Sequence, residues 1–543
     1  MNREGHFGLQ SGSVPIHITG ASHPRLPGNA VYPFLVAGGL GALAVPSPSI
    51  STLVGSVILV VLAAKFTGRR LVNAAGGTVA AITVWLVRSD TSGLPLWTIA
   101  VGLLATAICF VPLLTWRSHP DRFPVLGIFG AFQGIYIYMS TVVARPAFNF
   151  QMLYPLHVRE VGTVATLAYV TALVGAGMVG RRFPTILPSI RRWTSSAPSS
   201  IASSSTFRRA GILVIVGIGI NRFLPASVTG HLGAIPSILG TARIAGVAIM
   251  VLLWCQGSLS RSQMFWTMIA ILADAASAAS GQFLLYAAVG CVLASLIVLA
   301  VKRTHVAVWI LLAFMPLALI MNVAKGEARS GTSAHISPVI RLSRLAHYTQ
   351  LTIAHPTSTA LEVSADRFDF AEMLGYIVVH VPRDYPYWNK QSYTDLPFVL
   401  VPRAIAPFKP RDTLSNQFGR RYGLLNPNDF RTAANTPIQV EAWANFGGPG
   451  LIGIAALVGL LLSAAEGWFD TRRLDGFVLG VVLAYQVMGG VESGITAFAL
   501  AAPTIIIFIP IVRWALGYSA SHRPAGQPPS LLEDSHNARG SAR

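Results

Sequence analysis

The residue types that can do chemistry crowd into one stretch of this chain, Asp366 to Gly450. In TPIQVEAWANFGGPG, Glu441 sits four residues before Asn445, just ahead of Gly447-Gly448-Pro449-Gly450 and a new apolar run. A carboxylate at the mouth of a membrane helix can serve as general base toward an acceptor hydroxyl. It can equally pair with an arginine and hold the segment in place, and both roles stay open. Upstream, Arg403 to Arg431 carries six basic residues (Arg403, Lys409, Arg411, Arg420, Arg421, Arg431) against two acidic ones, Asp412 and Asp429. Guanidinium groups grip phosphate in a bidentate fork, so a fixed cluster suits a pyrophosphate head group. The plainer alternative is a solvated basic surface against anionic lipid. His347 is the reserve base, with His335, His355 and His380 as rivals; none stands at a recognisable spacing.

Two ionisable residues fall inside apolar runs, Arg243 and Asp274. Charge at such positions marks function by default. Arg243 either pairs with Asp274 across two helices or lines an outward cavity and meets a phosphate. Arg145, Arg159 and Arg222, in short outer links, extend the same basic vestibule. No GxxxxGK[ST], HExxH, CxxC or usable GxSxG is present, and no metal site is signalled. Gly448-x-Gly450-x-x-Gly453 follows no strand and enters a membrane helix, so it reads as small-residue helix packing. The three cysteines, Cys109, Cys255 and Cys291, all sit in apolar runs and read as packing residues.

The elements that must position these groups are membrane helices. The chain is 53% hydrophobic and 11% charged over 543 residues, with a mean hydropathy of +0.57; soluble domains carry roughly 25% charged residues. Apolar runs define about fourteen spans, at 30–46, 51–66, 71–87, 94–115, 124–143, 162–180, 210–226, 236–255, 264–280, 282–301, 305–324, 449–465, 475–491 and 495–515. Basic links follow the even-numbered spans, among them Lys65 to Arg70, Arg181 to Arg209, Lys302–Arg303 and Arg472–Arg473. By the positive-inside rule both termini are cytoplasmic and the long segment 325–448 faces outward. The net charge of +19 then reflects loop placement, and nucleic acid is not an expected partner.

The expected organisation is a cytoplasmic tail (1–29), a first bundle (30–182) and a Ser/Pro-rich linker (183–209). A second bundle (210–324), the outer loop (325–448), the C-terminal spans (449–515) and a polar cytoplasmic tail (516–543) follow. Within the loop, Pro338–Ala360 reads as amphipathic. Asp366 is a suitable N-cap for a helix through about His380, with Phe370, Met373, Leu374 and Ile377 on its apolar face, against the membrane surface or roofing the bundle. Pro382, Pro386, Pro397, Pro402, Pro407 and Pro410 then enforce an irregular path.

From Leu396 to Gly450 the series VPRAIAPFKP, Gly-Arg-Arg-Tyr-Gly (419–423) and TPIQVEAWANFGGPG resembles the outer loop of the O-antigen polymerase and ligase group. Glu-x-x-x-Asn-Phe-Gly (441–447) is its most telling part. The resemblance implies an all-α polytopic membrane protein with one large extracytoplasmic loop, a GT-C-like glycosyltransferase needing neither cofactor nor metal. It implies an undecaprenyl-pyrophosphate-linked glycan donor, a lipid-linked acceptor, and a flippase and chain-length regulator as partners, at the outer face of a bacterial cytoplasmic membrane. Arg403, Lys409, Arg420 and Arg421 would stabilise the leaving pyrophosphate, with Arg411, Asn445 and Arg243 lining the substrate. Glu441, with His347 in reserve, would orient or deprotonate the acceptor. A lipid-linked-oligosaccharide flippase and a glycan ligase are the competing readings.

Overall fold

The computed structural model describes residues 95–116, 121–138, 140–141, 155–182, 203–223, 234–280, 370–401, 405–406, 414–430, 434–471 and 473–518, with single positions at 232, 340, 343, 346, 347 and 350. Among these residues every regular element is a helix, and the one β-type contact is an isolated bridge between Arg122 and Asp470. Among the described residues six helical stretches are long and apolar enough to cross a membrane. The described part of the chain is all-α, with the apolar helices of a membrane protein.

Those six stretches contain α1 (Leu96–Thr115), α3 (Leu156–Gly180), α5 with α6 (Ile235–Gly240, Ala242–Cys255), α12 (Ile438–Trp468), α13 with α14 (Leu474–Met488, Gly490–Ser493) and α15 (Ile495–Ala515). Three further expected spans coincide with helices that fall short. The helix α2 (Val125–Tyr138) is short, at 14 residues. The helix α4 (Ser203–Phe223) opens on Ser and Thr and carries Arg208 and Arg209. The helix α7 (Arg261–Ser280) is rich in Ala and Ser and carries Asp274. The spans expected at 30–46, 51–66, 71–87, 282–301 and 305–324 lie outside the described residues, as do 183–202 of the expected linker.

The helix α3 is the hub, packed along α12 and against α1 and α8 (Phe370–His380). Small residues set these distances. A Cβ on Gly162 would lie 1.8 Å from the carbonyl oxygen of Ala371, and one on Gly375 would lie 1.9 Å from that of Val158. Only glycine lets α3 and α8 approach so closely. Phe370, Leu374 and Ile377 are buried by this contact and Met373 half-buried. The apolar face expected for this helix therefore roofs the bundle.

At 31 residues and about 1.5 Å per residue, α12 runs roughly 46 Å, well beyond the ~30 Å of a hydrocarbon core. Helix begins at Ile438, so Glu441 and Asn445 are helical, and the Gly-Pro run is a kink within helix rather than a loop end. Gly447 has φ of 66° there, a conformation only glycine adopts freely, and Pro449 restarts the helix beyond it.

Contacts gather at two opposite ends of α12. At one end Arg181 forks onto Glu466 (2.7 and 2.9 Å) and also donates to the carbonyl of Pro112 and the hydroxyl of Thr115. Glu466 accepts from the backbone N–H of Leu126 as well, and Phe123 N–H donates to the carbonyl of Phe469. At the other end lie α8, α9 (Gln391–Thr394), α10 (Leu396–Leu400), α11 (Leu414–Arg421) and the start of α12, joined to the Gly490–Ile495 turn by a 2.9 Å bond from Thr436 N–H to the Glu492 carbonyl.

Candidate functional site

The second end of α12 brings three of the sequence-predicted residues, Glu441, Asn445 and Arg421, onto one unit. Residues 381–394 form a strap across the first turns of α12: Trp388 N–H donates to the carbonyl of Ala444 (2.8 Å), and the Trp388 indole donates to Gln391 (3.1 Å). Asn389 and Lys390 both take left-handed backbone angles, φ 49° and 61°. Asn tolerates this; for Lys it is uncommon and strained. The reversal drops α9 onto α12. There Asn445 Nδ2 donates to Ser392 Oγ (2.9 Å) and to the backbone carbonyl of Glu441 (2.9 Å).

Glu441 is 4% exposed. Its Oε2 accepts the backbone N–H of Ile495 at 2.9 Å, the first residue of α15, where the partial positive charge of a helix N-terminus suits a carboxylate. The Ser392 hydroxyl also lies against the carboxylate. Its Oε1 is buried without a hydrogen-bond partner, as are Asn445 Oδ1 and the hydroxyls of Tyr393 and Tyr169. Burial first, and then the nearby Glu441 and Tyr169, raise the pKa of the Tyr393 phenol, so it stays neutral.

Four other buried carboxylates meet an arginine, while Glu492 accepts from the Tyr136 hydroxyl (2.6 Å). Glu372 pairs with Arg159, Glu466 with Arg181, Asp274 with Arg243 (2.7 Å) and Asp475 with Arg473 (3.1 Å). Glu441 has no cationic side chain against it among the described residues. The arginine pairing open to it on sequence grounds is absent there, while its holding role is filled by Ile495, Ser392 and Asn445.

The basic cluster divides. Arg403, Lys409, Arg411, Arg431 and Asp412 lie outside the described residues, as do Arg145, Asp366, His335 and His355. Arg420 and Arg421 end α11 and diverge. Arg420 donates to Asn416 (2.9 Å) and stacks 4.2 Å from the Phe430 ring. Arg421 is exposed and reaches the strap, donating to the carbonyl of Tyr387 (3.1 Å). Tyr422 carries α11 onto α12 through its hydroxyl, which donates to the carbonyl of Ala444 (3.3 Å). The pair therefore does not form one fork, but Arg421 and Asn445 sit on the same strap-and-helix unit.

Arg159, expected in the vestibule, is buried against Glu372 and ties α3 to α8. Arg243 is 5% exposed, engaged by Asp274 and by the Tyr485 hydroxyl, so the interhelical pair is the arrangement formed. His347 is exposed and is not among the partners of Glu441. His380 bonds Asp384, whose carboxyl is held down at about 2, from an ordinary 3.8, first by Arg383 and then by His380. Sequence reasoning did not single out Ser392, Tyr393, Tyr169 or Ile495; the first two and Ile495 reach Glu441, and Tyr169 nears Tyr393, only through tertiary packing that no spacing announces.

Among the described residues no group of three or more His, Cys, Asp or Glu is placed to hold a metal ion. No family model, characterised protein or solved structure matches the chain.

Proposed function

We propose that the protein is an integral membrane glycosyltransferase that joins lipid-linked oligosaccharide units, using a polyprenyl-pyrophosphate-linked glycan as donor. The observation that carries this reading is the roof. The strap, α11 and the first turns of α12 lock together over one end of the bundle, with exposed Arg421 on their surface. Resemblance of residues 396–450 to the O-antigen polymerase and ligase group supplies the reaction. An acceptor hydroxyl displaces lipid pyrophosphate from the anomeric carbon. Preorganised guanidinium groups stabilise the departing charge, an effect worth several kcal/mol at such sites. Arg421 and Arg420 take that role, together with Arg403, Lys409 and Arg411 of the same sequence stretch. Glu441, closed beneath the strap, fixes the geometry of the roof that carries Arg421.

The full architecture in this reading is about fourteen spans, both termini cytoplasmic and residues 325–448 outside. Its support is that the links assigned to one face by charge gather at one end of the helices. Residues near 122, 181 and 469 come together there, while the start of α3, the strap and the Gly490–Ile495 turn gather at the other.

The test is a chromosomal Arg421→Ala or Arg420→Ala exchange. Long polymer disappears while the protein remains in the membrane at its usual level. Polymer of normal length from both variants removes the pyrophosphate assignment.

A further inference from the structure

The Glu466 end of the bundle carries a second cluster of charge and aromatic rings, where α4 and α15 lie side by side. The last turn of α15 is closed by Gly517, with φ of 85°. Its N–H donates to the carbonyl of Trp514 (3.0 Å), and that of Tyr518 donates to the carbonyl of Arg513 (2.9 Å). This paired reversal is a Schellman end, and glycine takes its left-handed position without steric cost. It fixes the cluster. Tyr518 turns back beneath Arg513, whose guanidinium lies 5.1 Å from the ring. From α4, Arg209 donates to the carbonyl of Trp514 (3.0 Å) and lies 5.7 Å from its indole. Arg208, beside it, is exposed. Among the described residues no carboxylate pairs with Arg208 or Arg209; Asp475, the acid that meets Tyr518, is taken by Arg473.

What covers this cluster follows from the helix faces that lead to it. On α15 the exposed positions Ile506, Pro510 and Trp514 recur every four residues. On α4 the exposed positions Arg208, Ile212 and Val216 do the same, with Ile215 exposed beside them. Each stripe runs roughly 12 Å from apolar surface to a polar end. An exposed apolar stripe on a membrane helix faces acyl chains, and tryptophan with arginine suits the headgroup layer. We infer that the seam of α4 and α15 binds an anionic phospholipid, its phosphate on Arg208 and Arg209 beside the Trp514 indole and its chains along Ile212, Ile215 and Ile506. A guanidinium held by one nitrogen still presents its other N–H groups to phosphate oxygens. Two arginines without a carboxylate select a head of net negative charge over a zwitterionic one. In the proposed orientation this end meets the cytoplasmic leaflet, whose surface is anionic. Only the membrane-embedded fold is assumed; the glycosyl-transfer reading is not.

The experiment is fluorescence quenching of the full-length protein reconstituted in phosphatidylcholine vesicles. Dibrominated phosphatidylglycerol or dibrominated phosphatidylcholine replaces an equal share of the lipid. The difference between wild type and Trp514→Phe isolates Trp514 among the 11 tryptophans. Bromine quenches an indole that it touches, so the signal reads which lipid sits at the seam. Wild type is expected to favour phosphatidylglycerol at least about ten-fold, and Arg208→Gln or Arg209→Gln each to weaken that preference about five-fold. Arg208 is exposed, so its variant keeps the test open should Arg209→Gln fold poorly. Arg261→Gln, at the exposed start of α7, is expected to leave the preference unchanged. An equal fall there makes the attraction a diffuse surface potential and overturns the site. Equal quenching by the two lipids overturns it as well, and so does a preference that survives both Arg208→Gln and Arg209→Gln. Inorganic phosphate is expected not to compete at constant ionic strength; if it abolishes the preference, the ligand is free phosphate and the lipid assignment falls.

Discussion

At the residue scale, much depends on how each buried charge is answered. Arg181 and Glu466 are both nearly sealed, with side chains 6% and 2% exposed, and their fork is reinforced by carbonyl and hydroxyl acceptors. Removing one partner strands the other, which typically costs about 3–5 kcal/mol. Arg181→Ala is expected to lower the thermal midpoint sharply, or to prevent accumulation, whereas Arg383→Ala, at an exposed pair, is expected to change it little. Gly494 makes a second residue-scale test. Its φ is 63°, and an added Cβ would lie 2.3 Å from Glu441 Oε2 and 2.7 Å from the Thr436 carbonyl. Gly494→Ala therefore forces a strained backbone, roughly 1–3 kcal/mol, and dislodges the carboxylate. Unfolding midpoints of purified protein check both.

At the element scale, α12 joins the two ends of the molecule. One end is tied by Glu466 to α2 and α3, and the turns at its other end carry Glu441, Asn445 and the strap. Weakening the strap is expected to expose these first turns without unfolding the bundle. Ser392→Ala removes the Asn445 hydrogen bond, a loss of roughly 1 kcal/mol or more at a buried site. Faster hydrogen exchange confined to residues 385–395 and 438–446 is the expected result; unchanged exchange there would detach the strap from the site. How much of this was legible in sequence follows from what each signal reports. Phe370, Leu374 and Ile377 recur at helical spacing, so α8 and its buried face could be read locally. The apolar runs likewise placed α1, α3, α13 and α15 within a few residues. The start of α12 was missed because Gly447-Gly448-Pro449 is a strong breaker signal, and tertiary packing overrode it with one left-handed glycine. The partners of Arg159 and Arg181 were unreadable, since an ion pair between residues hundreds of positions apart leaves no local pattern. Asn445 and Glu441 were found as a motif, yet the oxygens around them emerged only from the fold.

At the scale of the whole molecule, the arrangement proposed for the membrane is open to a direct test. With Cys109, Cys255 and Cys291 replaced by Ala, a single Cys at position 389 is expected to react with an impermeant thiol reagent added outside intact cells. A single Cys at position 258 is expected to react only after permeabilisation. The reverse pattern would invert the topology and place the strap on the cytoplasmic side. The most direct measurement of the central claim is the glycan profile of a strain lacking this gene. Loss of long polymer, with single repeat units still displayed on lipid at the outer face, is the predicted result. An unchanged profile, or precursor trapped on the cytoplasmic face, would contradict it, the latter making the protein a flippase.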